Sequence, residues 1–317
     1  MSTKTLSIVI PVFNERKTLA KVIALIESVN LAGLTKEIII VDDGSTDGTR
    51  ELLKELAKKY KVLLQDKNHG KGAAVRRGIL ASNGDYVIIQ DADLEYDPHE
   101  YPLLLEPFEK GQADVVYGSR FRGGRPHRMI YYQNQLANYF LTFLSNLLTG
   151  YNLSDVETGY KLFRGELIRK LAQSLVSKRF GFEVEITAKL AQTKARVYEV
   201  GIAYYGRSKE EGKHIGVMDG LRAIWEILKF NLFSQRNLFW VLALTIMLIA
   251  GVMRFYLFEV HWGLGNDDAR DVLIAREALQ RGELPVIGSF SSAGPFVFGP
   301  LFYWSVMLSV VIFPSFE

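Results

Sequence analysis

The chain contains no cysteine, which excludes disulfides, thiolate catalysis and Cys-ligated zinc. It carries little net charge: 38 Lys and Arg against 35 Asp and Glu leave +3 over 317 residues. Basic and acidic residues are intermixed outside local clusters, so nothing argues for nucleic acid as a partner. Met1-Ser2-Thr3-Lys4 has neither the n-region nor the h-region of a signal peptide and leads straight into a strand-like run. The first domain is therefore expected to stay in the cytosol. Internal repeats and low-complexity tracts are also missing. What is abundant is apolar residue, at 48% enough for a sizeable core, with membrane-like runs concentrated after Asn237.

From Leu6 to Gly118 one pattern repeats: apolar strand, polar loop, amphipathic helix. Leu6–Val12, Glu37–Asp42, Lys61–Leu64, Tyr86–Gln90 and Asp114–Tyr117 read as buried strands of a mostly parallel sheet. Arg16–Val29, Thr46–Lys59, Gly72–Ser82 and His99–Lys110 have helical spacing between them. The alternation predicts an α/β fold, a Rossmann-like doubly wound sheet whose loops at the strand ends carry the chemistry.

Asp91 and Asp93 straddle one small residue, Ala92, directly after the apolar run Val87-Ile88-Ile89. Side chains at i and i+2 of a strand point the same way, here into the crevice where open α/β sheets bind ligands. A hard cation such as Mg²⁺ or Mn²⁺ takes one or two carboxylates plus phosphate oxygens, so the pair reads as a clamp for a diphosphate. A lone D-x-D also suits a solvated turn. In Pro11-Val12-Phe13-Asn14-Glu15, proline stops the ladder, and Phe13 and Glu15 offer a flat face and an acceptor to a nucleobase; an N-cap at Asn14 is the plainer alternative. Asp42, in Val41-Asp42-Asp43-Gly44-Ser45-Thr46-Asp47, can accept hydrogen bonds from base and ribose, or form a turn and helix cap. Asn68-His69-Gly70-Lys71-Gly72 places a lysine and close-approach glycines at a helix N-terminus, where phosphate is favoured. Neither a Walker A sequence nor a G-x-G-x-x-G after the first strand is present, which disfavours a P-loop ATPase and a dinucleotide dehydrogenase.

After Ser119 the character changes. Arg120, Arg122, Arg125 and Arg128 precede Ile130–Thr149, a stretch without charge in which Leu136, Tyr139, Phe140, Phe143, Leu144 and Leu147 share a helical face. Val217–Phe233 likewise gathers Leu221, Ile224, Trp225 and Leu228. Such helices with basic flanks lie in a membrane interface, though the same spacing suits two helices packed on a core. Leu238–Met253 with Phe255–Phe258 reaches the roughly 20 residues that span a bilayer. Lys229 and Arg236 precede this run and Glu259, Asp267, Asp268 and Asp271 follow it, a positive-inside bias that puts the N-terminal domain on the cytosolic face of the cell membrane.

The motifs P-V-F-N-E, V-D-D-G-S-T-D, N-x-G-K-G, D-A-D-L-E-Y-D-P and Y-G-S-R, in this order, resemble the inverting family-two glycosyltransferases of the A-type fold. Within them the sequence is most similar to the dolichol-phosphate mannose synthase and polyprenyl-phosphate glycosyltransferase group. The likeness covers about Leu6 to Phe233. It implies a nucleotide-sugar donor of the GDP-mannose or UDP-glucose type, held by Pro11, Phe13, Glu15, Asp42, Lys71, Asp91 and Ala92. It implies Mg²⁺ or Mn²⁺ at Asp91, Asp93 and Glu95, the last where related members tend to carry Gln, which bears on donor preference. Arg120 resembles the arginine that meets the acceptor's phosphate, with Arg128, Arg207 and Lys213 as partners, the last two in a stretch that resembles the family's basic loop over the phosphates. The implied acceptor is a polyprenyl or dolichyl phosphate at a membrane. Asp93, Arg120 and Asp155 are the candidate catalytic residues, Asp155 as a base or as a sugar-orienting group, a turn or capping aspartate being the alternative. Homo-oligomerisation stays open.

The implied organisation is a cytosolic transferase domain over 1–213 with a candidate interfacial helix at 130–149, and an interfacial amphipathic helix over 214–236. A transmembrane helix over 237–258, an outward loop over 259–295 and a second, truncated-looking span over 296–317 follow. Asp267-Asp268-Ala269-Arg270-Asp271, with Gly294-Pro295 and Gly299-Pro300-Leu301, also resembles the first outward loop of membrane glycosyltransferases that use lipid-linked sugars; there Asp267 or Asp268 would be the catalytic acid. A processive polysaccharide-forming transferase would need a Q-x-x-R-W motif, which is missing. A donor-binding scaffold without turnover, or a different acceptor, is the remaining alternative, and the scaffold would be expected to lose the D-x-D or Arg120.

Overall fold

The structure, a computed structural model, describes residues 3–128, 131–179, 181–207, 217–232, 243, 245–252, 266–283 and 301–312. Its centre is a seven-stranded sheet of β1 (Thr5–Val12), β2 (Thr35–Asp42), β3 (Lys61–Leu64), β4 (Tyr86–Ile89), β5 (Val115–Ser119), β6 (Lys161–Arg164) and β7 (Val197–Gly201), in the order β3-β2-β1-β4-β6-β5-β7. All pairings are parallel except those of β6 with β4 and β5. The mostly parallel, doubly wound sheet expected from the sequence is the one observed.

Period-two alternation builds two cores from single strands. Ile8 and Ile10 of β1 pack with Leu19, Val22 and Ile26 of α1 (Leu19–Ser28), Leu53 of α2 (Thr49–Leu56) and Leu104 of α4 (Tyr101–Glu109). Val9, between them, faces Val75 and Ile79 of α3 (Lys71–Leu80) with Ile168 of α6 (Gly165–Ala172) and Phe182 and Ile186 of α7 (Gly181–Ala191). The five expected strands and four expected helices lie within three residues of their expected ends. β6, β7, α6 and α7 carried no such expectation: β6 has four residues, one of them the fully buried Lys161, and α7 is buried almost all round, so neither shows a clean period.

The helix α5 (Tyr132–Thr149) buries a mixed face, on which Leu141 packs with Leu144 and Leu148 beside it, and exposes an aromatic one. Thr142 and Ser145 are buried, while Tyr132, Leu136, Tyr139, Phe140, Phe143 and Leu147 are exposed, Phe143 at 63% and Leu147 at 67%. Its polar face supplies partners to loop backbone that would otherwise lack them: Thr142 Oγ1 accepts from Val156 N, and Asn146 bonds both N and O of Leu153. The helix α8 (Val217–Leu232) packs on α5 and α7 through Ala223 and Ile227, leaving Leu221 and Trp225 outward. Each stripe is divided: Leu144 of α5 and Ile224 of α8 pack against the cluster of Leu141, Val156, Val184, Ala223 and Ile227, while Leu136, Tyr139, Phe140, Phe143 and Leu147 of α5 and Leu221 and Trp225 of α8 stay exposed.

By its internal contacts the chain divides into two compact units, Met1–Val241 and Leu242–Glu317. In the second, the stretch read as an outward loop holds a helix, Asn266–Arg281, whose Ala275 packs with Val306 and Met307 of the helix Leu301–Ile312. The side chains of Asp267 and Asp268 lie outside the described ones. Among the described residues no helix is long and apolar enough to cross a membrane; of the expected spans 237–258 and 296–317, most of the first and both ends of the second lie outside the described residues.

Candidate active site

The carboxyl ends of β1, β2 and β4 and the start of α3 meet along one edge of the sheet. Asn14, in the left-handed region at φ 57°, donates its backbone N–H to Ser45 Oγ and accepts from Thr46 N at Oδ1, tying the β1 loop to the β2 loop. It does not cap α1, whose N-cap is Thr18. Phe13 is left 45% exposed beside it. Asp42 is fully buried and saturated: Gly44 N, Ser45 N and Arg50 Nε all donate to it. Its neighbour Asp43 accepts from His69 N and Gly70 N and so fixes the loop that presents Lys71. Gly70 has φ 97°, and a Cβ there would meet Lys178 O at 2.3 Å, so only glycine fits.

Asp91 and Asp93 follow the end of β4 with side chains 17% and 16% exposed, and Ala92 between them is buried in the core. Lys71 Nζ lies 2.9 Å from Asp91 Oδ1, and Arg207 Nη2 lies 2.9 Å from Asp93 Oδ2. Burial, followed by Asp91 and Glu95, pushes the Asp93 carboxyl up to about 7 against the pull of Arg207. Burial would lower the Lys71 ammonium, but Asp91 and Glu183 outweigh it and hold it raised. Leu94 follows with φ 64°, an unfavourable conformation for a branched residue that turns the chain sharply after the acids. Glu95 is engaged elsewhere: it accepts from Tyr204 Oη at 2.8 Å and from Arg207 N at 2.8 Å. It anchors the 204–207 segment while lying near enough to Asp93 to help raise its carboxyl.

Arg120 and Asp155 form a bidentate pair, Nε to Oδ2 and Nη2 to Oδ1 both at 2.7 Å, with Arg120 N adding a third bond at 3.0 Å. The guanidinium also lies over the Tyr204 ring at 5.2 Å. Such a fork fixes the arginine's direction, so Asp155 is its orienting partner and both carboxylate oxygens are occupied. Arg128 donates from its guanidinium to Gly206 O and from its backbone N to Tyr204 O, bracing the same segment. Arg207, expected at the acceptor phosphate, sits among Glu15, Asp93 and Glu95. Lys213 lies outside the described residues.

Beneath the crevice is a buried charge network that the motifs did not disclose. Lys161 donates to Glu183 Oε2 at 2.8 Å and to the carbonyls of Val156 and Thr158. Glu199 accepts from Ser154 N and Asp155 N, shaping the turn that carries Asp155. Two acidic residues in the otherwise apolar Phe182-Glu183-Val184-Glu185 were the available signal, since carboxylates are rarely buried unpaired.

Among the described residues no three His, Asp or Glu side chains converge as a ready-made cation cage. The donor set nonetheless fits a divalent cation shared with phosphate. Asp91 and Asp93 are side by side and each mostly buried, and Glu15, Asp91, Asp93, Glu95 and Glu183 outnumber the Lys71, Lys161 and Arg207 that face them. Two carboxylates plus phosphate oxygens are what a small hard cation takes.

Residues 7–172 match the glycosyl transferase family 2 profile. The chain belongs to this family of glycosyltransferases, the one its ordered motifs resemble. It is 31% identical over 229 residues to a dolichol-phosphate mannosyltransferase of Pyrococcus furiosus, covering 71% of this chain and 64% of that protein. It is 24% identical to a UDP-N-acetylglucosamine–dolichyl-phosphate N-acetylglucosaminyltransferase of Methanococcus voltae, over 73% of this chain and 98% of that one. The chain thus spans less than two thirds of the first relative and nearly all of the second. In fold it is similar to glucosyl-3-phosphoglycerate synthase of Mycobacterium tuberculosis, solved with Mn²⁺, UDP and phosphoglyceric acid, with a TM-score of 0.56 at 22% identity over 73% of this chain and 80% of that one. The architecture is the A-type glycosyltransferase fold.

Proposed function

We propose that the protein transfers a sugar, with inversion, from a nucleoside-diphosphate donor of the GDP-mannose or UDP-glucose kind to a polyprenyl or dolichyl phosphate, at the cytosolic face of a membrane and with Mg²⁺ or Mn²⁺. The observation that carries the acceptor class is the adjacency of Arg120 to an outward apolar helix face: Phe121, next in sequence, meets Tyr139 of α5 at 5.1 Å. A phosphate on Arg120 and a lipid chain along Phe140, Phe143 and Leu147 would belong to one molecule. The exposed Ile246, Met247, Leu248 and Ile249 of the second unit also favour a membrane setting. The two dolichyl-phosphate relatives support the same reading.

Charge gives the rest. A divalent cation on Asp91 and Asp93 would neutralise the leaving diphosphate. Lys71 adds a positive charge at the same end. A phosphate monoester is already ionised near neutral pH, so no strong base is needed, which accords with an Asp155 committed to Arg120. Arg120 then acts by holding the attacking oxygen in line with the anomeric carbon.

The test is transfer of label from UDP- and GDP-sugars to undecaprenyl and dolichyl phosphate in detergent, with Mn²⁺, Mg²⁺ or EDTA and with Asp93→Asn as control. Metal-dependent formation of a lipid-phosphate sugar is expected. Transfer to phosphorylated small acids alone, or donor binding without transfer, would refute the lipid acceptor.

A further inference from the structure

Lys71 is shared between two carboxylates. Its Nζ is 2.9 and 3.0 Å from the two oxygens of Asp91 and 3.3 Å from Glu183 Oε1. The other oxygen of Glu183 is taken by Lys161, which has no exposed surface. Oε1 itself is buried and accepts no hydrogen bond, Lys71 being close enough for attraction but off line. A buried carboxylate oxygen left in this state is costly and uncommon. Here it has a geometric meaning: an acceptor stands in reserve beside an ammonium group whose other partner, Asp91, is the carboxylate best placed to meet a cation.

We infer that Glu183 is a positioning residue for Lys71: it takes the ammonium onto Oε1 when Asp91 is given over to a divalent cation, and so keeps that charge at the donor end of the crevice. The inference rests on Asp91 as a cation-binding residue. Lys71 and a cation compete for Asp91, and an ammonium with no second carboxylate would have to be left unpaired with its side chain only 24% exposed, which is unfavourable. Glu183 removes that penalty. Because the same side chain clamps Lys161, and Lys161 holds the carbonyls of Val156 and Thr158, it also fixes Lys71 relative to the turn that carries Asp155.

The experiment is a double-mutant cycle read by calorimetric titration of Mn²⁺ into the full chain, with UDP and GDP affinity measured in parallel. Glu183→Gln is expected to weaken Mn²⁺ binding about tenfold when Lys71 is present and less than about twofold in a Lys71→Met background. An equal loss in both backgrounds, or no loss in either, overturns the inference and leaves Glu183 as a structural partner of Lys161. Glu183→Asp keeps the charge for Lys161 while drawing the carboxylate away from Lys71, and provides the same comparison if the glutamine variant does not fold. Asp91→Asn reports separately on the underlying reading: Mn²⁺ binding that survives this change removes Asp91 from the cation site and overturns both.

Discussion

At the residue scale, the site is held by contacts too close to admit substitution. Gly159 lies against Asp91, where a Cβ would come within 2.6 Å of Oδ2 and 3.0 Å of the Tyr96 ring. Gly159→Ala is therefore expected to displace the carboxylate and weaken Mn²⁺ binding by about tenfold while costing roughly 1–3 kcal/mol of stability; titration of Mn²⁺ into the folded variant checks it. Glu157 gives a pH prediction. Burial, then Glu183, raises its carboxyl from 4.5 to about 7 against Lys161 and Arg120, and its Oε1 has no hydrogen-bond partner. A carboxyl raised in the folded state binds its proton more tightly there than in the unfolded chain. Its contribution to stability is complete below pH 4.5 and is lost as pH rises through about 7. Glu157→Gln should thus match the parent in melting temperature near pH 5 and exceed it near pH 8, by up to roughly 3 kcal/mol of unfolding free energy. A pH-independent difference would show that the ionised carboxylate is well compensated.

Elements were legible where their periods were clean. The first five strands and four helices follow from alternation because each buries one face or both against a regular neighbour. The four-residue β6 was hidden because its Lys161 is buried by pairing with Glu183, which no hydropathy pattern announces. The site was legible as a set of loops, D-x-D and G-S-R foremost, but the partner of each side chain was not. That Glu95 would hold Tyr204 and Arg207, and that Asp155 would lock Arg120, depends on contacts across more than 30 positions. For α5 the sequence showed an apolar stripe but not which way it faced; the hydrogen bonds of Thr142 and Asn146 to the 153–156 loop decide that. Since Phe140 and Phe143 are exposed, Phe140→Ser with Phe143→Ser is expected to change stability by less than about 0.5 kcal/mol. Binding to anionic lipid vesicles should fall severalfold, read by co-sedimentation, and an unchanged bound fraction would take α5 away from the membrane.

For the whole molecule, the proposed lipid acceptor raises the question of the side of a bilayer on which the crevice would work. Arg122, Arg125 and Arg128 lead into α5, and Lys229 lies on the last turn of α8, so the cationic residues border the same apolar faces that point outward. Basic residues beside a membrane-facing surface favour an anionic leaflet by about 1 kcal/mol each, and the acidic residues at Glu259, Asp267, Asp268 and Asp271 fall beyond the apolar run at 238–258. Both asymmetries favour a transferase unit on the cytosolic side. In sealed membrane vesicles, donor sugar-nucleotide added outside should then be consumed by inside-out vesicles and not by right-side-out ones until detergent opens them. Equal use by both before detergent would mean that the unit is not held to one face, and use by right-side-out vesicles alone would reverse the assignment. EDTA in the outer medium, which cannot cross the bilayer, makes the result specific to this crevice: it should stop transfer in inside-out vesicles, since the cation on Asp91 and Asp93 would be exchanging with that compartment.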